Sequence, residues 1–226
     1  MSENANVISF SDRTRAILNN FNSIHGSIHL KQGESIVIGE SGGGVLAVAT
    51  IDESIPKEFP IANLGGLLTI LSMKSFADSK LDFSTDGLMK IAGKGQIVDF
   101  YASAETFGDL PEEPIPLEQE DFSAEITPDV FVDFKKACSG LNLTHCTLTV
   151  KDGKSSLVGN NPDLPNSSDF TIELGETDKD DVEITIKVAS MKKVLEGNYV
   201  LVAQSEFMAK FVSIDERLQY MIGAEL

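Results

Sequence analysis

The sequence predicts an α+β protein made of two similar domains, each with antiparallel β-sheets and two α-helices on one face. Three observations support this fold class: a motif repeated at a constant offset of 120 residues, four short amphipathic helices, and alternating apolar runs separated by turn residues. The helices and strands follow one another in the same order in each half.

The repeat is clearest in residues 28–39 and 148–159. Each segment has an alternating strand, a turn of the form Lys-x-Gly and a second strand that ends in glycine. This pattern is typical of a β-hairpin. His25 and His145 keep the same offset, so the similarity extends beyond the hairpin itself.

A helix precedes each hairpin. Residues 12–22 place Ile17, Leu18 and Phe21 on one face at helical spacing. Residues 128–138 begin after Thr127, which offers a capping hydroxyl, and place proline at the first helical position.

A second helix follows in each half. Residues 62–74 carry a leucine stripe, although the pair Gly65-Gly66 lowers the helix propensity by roughly 1 kcal/mol for each glycine. Residues 188–195 are followed by Gly197, which is suited to a helix C-cap.

Alternating strands follow each second helix, and an acidic, proline-rich segment joins the two halves. Residues 105–121 hold seven acids and three prolines, which favour an extended chain over a helix. We therefore predict a first domain over residues 1–104, an interdomain linker over 105–121 and a second domain over 122–226.

Composition excludes several classes of protein. No apolar run reaches the roughly 18 residues of a membrane-spanning helix, and residues 1–10 lack the features of a signal peptide, so we expect no membrane partner. Cys138 and Cys146 are expected to be buried free thiols, as is usual in a reducing compartment.

Chemical motifs are weak throughout the chain. The glycine-rich segment 39–44 leads into a strand rather than a helix, so it does not match a phosphate-binding loop. Ser190 and Lys193 have the spacing of some acyl-transfer enzymes but lack their companion motifs. Three scattered histidines are too few for a zinc cluster. We predict no enzyme activity, no catalytic residue, no metal site and no cofactor.

Charge is distributed unevenly. The chain has 18 basic and 35 acidic residues and a formal net charge of −17. The four predicted helices nevertheless contain more basic than acidic side chains. The basic residues are Arg13, Arg15, Lys74, Lys135, Lys136, Lys192 and Lys193; the acids are Asp12, Asp129 and Asp133.

This separation predicts that a polyanion is repelled by most of the molecule and attracted by its helical surface. Lysine, arginine and asparagine suit contacts with phosphates. No dense cluster of side chains is suited to the major groove, and tryptophan is absent, so neither base readout nor stacking on single strands is favoured. We interpret the pattern as non-specific binding of double-stranded DNA. A solvated helix face is the alternative interpretation of these lysines.

The order and spacing of several segments resemble the sliding clamps of large tailed phages, which are related in fold to PCNA. The resemblance covers most of the chain and is sharpest over residues 14–92. Its segments are residues 14–24, leading into Leu30-Lys31-Gln32-Gly33, then 64–72, 84–91, Met191-Lys192 and Gly197-Asn198-Tyr199.

The resemblance implies a DNA-clamp fold that assembles as a homotrimeric ring around duplex DNA. It implies a processivity factor for the replicative DNA polymerase, loaded by an ATP-dependent clamp loader and used in late transcription, in the cytoplasm of the infected bacterial host. Twelve helices, each about 10 Å wide, would leave a bore of about 28 Å.

In such clamps the helices line the bore, so the resemblance implies that all seven basic helix residues face DNA. It also implies a pocket for partner peptides beside the linker, for which Ile115, Leu117, Tyr220, Met221 and Ile222 are the candidates. Two alternatives stay open from sequence: a non-catalytic, ring-forming structural or assembly protein of a phage particle, and an enzyme that uses Ser190, His25 or His145.

Overall fold

The computed structural model describes residues 5–40, 44–104, 110–111, 113–118, 120–164, 166–179 and 182–225. Parts of the predicted linker and of the glycine-rich segment lie outside these ranges. The chain forms two compact units that divide between Glu113 and Pro114, and Val45–Leu46 are grouped with the second unit.

The first unit contains two α-helices and a short 3-10 helix. Helix α1 spans Asp12–Asn22 and begins where the Ser11 hydroxyl accepts the Thr14 N–H. Helix α2 spans Leu64–Ser72, two residues shorter at each end than predicted, because the Asn63 side chain caps its start and a 3-10 helix, Lys74–Phe76, follows it.

The strands of the first unit flank these helices. They are β1 (Val7–Ile8), β2 (Ile28–Leu30), β3 (Gly33–Gly39), β4 (Val45–Ile55), β5 (Phe59–Ile61), β6 (Lys80–Thr85), β7 (Leu88–Ala92) and β8 (Ile97–Tyr101). Strands β1, β6, β7 and β8 form an antiparallel sheet in that order, with β8 at one edge.

The second unit repeats this plan. Helix α3 spans Pro128–Gly140, and the Thr127 hydroxyl accepts the Val130 N–H at its start. Helix α4 spans only Val188–Met191, which is shorter than the predicted 188–195. The Lys193 N–H bonds to the Ser190 carbonyl three residues back, so the chain continues as a tighter turn.

The strands of the second unit form two antiparallel arrays. They are β9 (Phe122–Ile126), β10 (His145–Lys151), β11 (Lys154–Asn160), β12 (Phe170–Glu176), β13 (Val182–Lys187), β14 (Tyr199–Gln204), β15 (Met208–Ser213) and β16 (Leu218–Gly223). One array has the order β12-β11-β10-β13; in the other, β9, β14, β15 and β16 pair in turn, as β1, β6, β7 and β8 do.

The predicted hairpins differ between the two units. Strands β10 and β11 pair along their whole length, with a two-residue turn at Asp152-Gly153. In the first unit the strands form where predicted, but β2 pairs with β5 and β3 lies beside β4 in another sheet. The prediction of a first hairpin was therefore wrong. Strand β2 has only three residues. Gly33, the first residue of β3, has a φ of 113°, a backbone conformation that favours glycine.

Each unit buries the apolar stripe of its helices. Ile17, Leu18 and Phe21 of α1 are almost fully buried, as are Phe131 and Phe134 of α3. Both cysteines are free and buried, as expected, and burial raises the pKa of the Cys146 thiol. Because the apolar faces of the helices pack into these cores, only their polar faces can contact a binding partner.

Candidate nucleic-acid interface

Three of the predicted basic residues are exposed on helical segments. Lys74 begins the 3-10 helix after α2, Lys136 lies on α3, and Lys192 is the C-terminal cap of α4. We call Lys74, Lys136 and Lys192 the exposed lysines. Their ammonium groups can approach a phosphate without first leaving a buried site.

Arg13 and Arg15 are engaged with the first unit itself. The Arg13 guanidinium donates to the Thr50 carbonyl at 2.8 Å and lies 3.7 Å from an Asp52 carboxylate oxygen. Arg15 uses all three of its nitrogen atoms within the chain. It donates to the carbonyl oxygens of Phe10 at 3.1 Å, Leu71 at 2.7 Å and Ala77 at 2.9 Å.

Lys135 is likewise engaged within the second unit. Its ammonium donates to the Val194 carbonyl at 2.7 Å and lies 4.3 Å from the centroid of the Phe131 ring. Burial lowers the pKa of the Lys135 ammonium below its usual range, while Glu196 opposes the shift and Lys192 adds to it. The Lys135 side chain is half-buried, whereas that of its neighbour Lys136 is exposed.

Two lysines lie near the end of α4. The positive charge of Lys192 lowers the pKa of the Lys135 ammonium. Burial raises the pKa of the Cys138 thiol above its usual value, and Lys192 opposes that shift. Lys193 is half-buried. Lys135 of α3 and Lys192 at the end of α4 thus lie near each other within the second unit, with Glu196 beside them.

The residues suggested for a peptide pocket are mostly buried. The side chains of Tyr220, Met221 and Ile222 on β16 are at most 3% exposed. Ile115 and Leu117 are half-buried, and the Ile115 N–H points to the Met221 sulfur at 3.2 Å. The linker segment therefore lies against β16, and the pocket itself stays a prediction.

The residues considered for enzyme chemistry have local partners. Ser190 is buried inside α4, and the N-cap of that helix is Lys187. The His25 ring bonds to Ser27, and the His145 ring bonds to the Thr144 hydroxyl. Within the described ranges, no group of three or more His, Cys, Asp or Glu side chains is placed to hold a metal ion.

Sequence analysis missed two features of the surface. Strand β8 is a sheet edge on which Ile97 is 72% and Tyr101 is 70% exposed. Their spacing of four indicates one strand face, which was a usable signal. The acceptors of Arg15 and Lys135 could not be found in this way, because they lie far away along the chain.

Among the described residues, no helix combines the length and the apolar character needed to cross a membrane. No protein-family model matches the chain.

Individual phage proteins do match the chain over almost its full length. The sliding clamp of Escherichia phage RB69 is 30% identical over 223 residues, which cover 95% of this chain and 96% of that protein. The sliding clamp of Enterobacteria phage T4 is 29% identical over the same coverage.

Solved structures agree on the fold. Proliferating cellular nuclear antigen from Entamoeba histolytica superposes with a TM-score of 0.70 at 15% identity, covering 97% of this chain and 98% of that one. The A. fulgidus PCNA, solved with the C-terminal region of FEN-1 bound, gives a TM-score of 0.71 at 10% identity over the same coverage.

Proposed function

This chain belongs to the sliding-clamp family, and from that membership we propose that it encircles duplex DNA as a homotrimeric ring without sequence specificity. As a member of the family it is a DNA clamp of phage replication and not an enzyme. The clamp role takes precedence over the assembly-protein alternative because the similarity extends over 95% of the chain.

One observation carries the proposal. In a chain with a net charge of −17, Lys74, Lys136 and Lys192 are exposed on helices or directly after them. A few lysines suffice for a ring that holds DNA by enclosing it, whereas an open binder needs many phosphate contacts. The excess of acids elsewhere discourages binding of DNA to the rest of the surface.

We assign DNA contact first to Lys74, Lys136 and Lys192, because their charges are accessible. Arg13 and Lys193 stay predictions as DNA-facing residues, whereas Arg15 and Lys135 donate to carbonyls within the chain and are not assigned to DNA contact. Each clamp domain, residues 1–104 and 122–226, would then contribute one pair of helices to the bore, with 105–121 as the connection.

Cross-linking tests this assignment directly. Both native cysteines are buried, so a thiol-directed, photoactivated cross-linker would react at an introduced cysteine. We expect Lys136→Cys and Lys192→Cys to cross-link to duplex DNA on which the clamp has been loaded. The matched control is Lys90→Cys, at an exposed lysine on β7, and we expect little cross-linking there. Equal yields at all three positions would contradict the assignment.

A homotrimer needs a surface through which one copy of the chain binds the next. Two sheet edges are candidates for this interface. Strand β8 ends the first unit's sheet and carries the exposed Ile97 and Tyr101; strand β12 ends a sheet of the second unit and carries half-buried Phe170 and Ile172. Among the described residues these strands lie at sheet edges, whose backbone N–H and C=O groups can pair with a strand of another chain. We propose that β8 of one copy pairs with β12 of the next.

We therefore expect a species near three times 24.4 kDa by light scattering. The double substitution Ile97→Asp and Tyr101→Asp should give the monomer mass, since burying carboxylates in the interface costs several kcal/mol. Leu164→Asp changes an exposed leucine on a loop and should leave the trimer intact. A monomeric wild-type chain at micromolar concentration would contradict the ring.

Partner binding is also part of the proposal. The A. fulgidus PCNA binds the C-terminal region of FEN-1, which is a peptide bound by the same fold. We propose that this chain binds the replicative DNA polymerase, an ATP-dependent clamp loader and late transcription factors through peptide segments beside Ile115 and Leu117. The work would take place at the replisome, in the cytoplasm of the infected host.

A further inference from the structure

Arg15 and Lys135 occupy the same place in the repeat. They differ by 120 residues, which is also the offset between residues 28–39 and 148–159. The buried positions around them keep this offset, since Thr14 and Leu18 on α1 correspond to Phe134 and Cys138 on α3. The two side chains therefore leave their helices at equivalent points.

Both acceptors lie near the end of the second helix of their unit, although they are 123 residues apart and not 120. Arg15 donates to the carbonyl of Leu71, which lies in the last turn of α2. Lys135 donates to the carbonyl of Val194, three residues beyond the end of α4. Carbonyls at the C-terminal end of a helix lack partners within the helix and carry partial negative charge, so a cation there satisfies and stabilises them.

Neighbouring contacts strengthen each bond. In the first unit the same guanidinium also reaches Phe10 before α1 and Ala77 after the 3-10 helix. In the second unit the Phe131 ring lies beneath the ammonium, and the Tyr199 hydroxyl donates to the next carbonyl, that of Leu195, at 2.7 Å. Both cations are thus enclosed by groups of their own chain.

We propose that Arg15 and Lys135 are equivalent positioning residues that hold the first helix of each unit to the end of the second helix, and that neither contacts DNA. We call the Arg15–Leu71 and Lys135–Val194 bonds the helix struts. This inference rests on the proposed function, because the helices joined by the struts carry the exposed lysines. The inference separates the basic residues that form the helix struts from those that contact DNA.

The test compares strut variants with charge-matched controls. Arg15→Gln and Lys135→Met each remove one strut, while Lys74→Met and Lys136→Met each remove one exposed charge from the same units. Arg15→Lys is the conservative variant, since it keeps the charge but cannot reach three carbonyls at once. Two quantities are measured: amide hydrogen exchange of the free clamp, and the salt dependence of its equilibrium binding to a 30-bp duplex.

We expect Arg15→Gln to speed exchange in residues 71–79 by about tenfold, as the loss of a hydrogen bond to a charged group implies. Lys135→Met should do the same in residues 191–196. Neither variant should change the salt slope, and Arg15→Lys should restore part of the protection. Lys74→Met and Lys136→Met should leave exchange unchanged and reduce the slope by about one for each phosphate contact removed.

The inference is overturned if Arg15→Gln and Lys135→Met reduce the salt slope as the controls do while exchange stays at the wild-type rate. Should Arg15→Gln fail to fold, Arg15→Lys and Lys135→Met still decide between the two results. Failure of the wild-type chain, once loaded, to stay on a closed DNA circle would instead count against the proposed function. The exchange comparison needs no DNA and would still test the struts.

Discussion

Replacing Gly93 with alanine is expected to destabilise the first unit by about 3 kcal/mol, because no space exists for a methyl group. An added Cβ would overlap the carbonyl oxygen of Ser75 and lie 2.8 Å from Cδ1 of Phe76. The Ser75 oxygen belongs to the backbone and already accepts the Lys94 N–H at 2.7 Å, so it cannot move aside without breaking that bond.

The effect would reach the proposed DNA surface, since Ser75 lies in the 3-10 helix that begins with Lys74. Thermal unfolding measures it, and a loss of about 3 kcal/mol corresponds to a fall in Tm of about 10 °C for a chain of this size. Gly140→Ala is the control, because a Cβ at the end of α3 meets no atom within 4 Å. We expect its Tm to stay the same or rise slightly. A wild-type Tm for Gly93→Ala would show that the packing around Ser75 is looser than described.

Local sequence signals predicted the helices that have strong caps and apolar stripes. Helix α1 was predicted over residues 12–22 and spans Asp12–Asn22, because its cap and its stripe are both local. Helix α3 begins after Thr127 as predicted, for the same reason. Helix α4 was predicted too long because the turn after Met191 keeps apolar residues at nearly helical spacing.

Strand pairing was harder to predict than strand position. Residues 28–30 and 33–39 are strands, as their alternation indicated, but their partners depend on residues elsewhere in the chain. Strand β2 pairs with β5, which lies some thirty residues further along, at Ile28 and Ile61. Alternation alone also cannot show that β8 lies at the edge of its sheet.

The contacts of the basic residues were also not predictable from local sequence. Sequence analysis grouped seven cations by helix, and it had no means of separating those that bond within the chain. Arg15 and Leu71 are 56 residues apart, and Lys135 and Val194 are 59 apart. The adjacent pair Lys135 and Lys136 looks alike in sequence, yet one is half-buried on a carbonyl and the other is exposed.

The largest functional effect is expected from the topology of the DNA. A protein held only by phosphate contacts loses affinity steeply as salt rises, by about 10³- to 10⁵-fold between 50 and 200 mM for six to ten contacts. A closed ring stays linked to a circle even when those contacts are screened, and few contacts allow it to slide. The exposed lysines would then guide the chain along DNA instead of fixing it at one place.

Retention of labelled clamp on circular DNA therefore tests the central claim most directly. The clamp is loaded with its loader and ATP, and the DNA is separated by gel filtration in about 1 M salt, where the Debye length is about 3 Å. Half of the sample is first cut once with a restriction enzyme. In a parallel sample a bulky protein blocks both ends of the cut DNA, and the variant with Ile97→Asp and Tyr101→Asp serves as the ring-opening control.

We predict that the clamp elutes with the intact circle, is lost from the cut DNA and is recovered on the DNA with blocked ends, while the interface variant is lost from all three. Equal retention on intact and cut DNA, or loss from the intact circle, would contradict a ring that holds DNA by enclosing it.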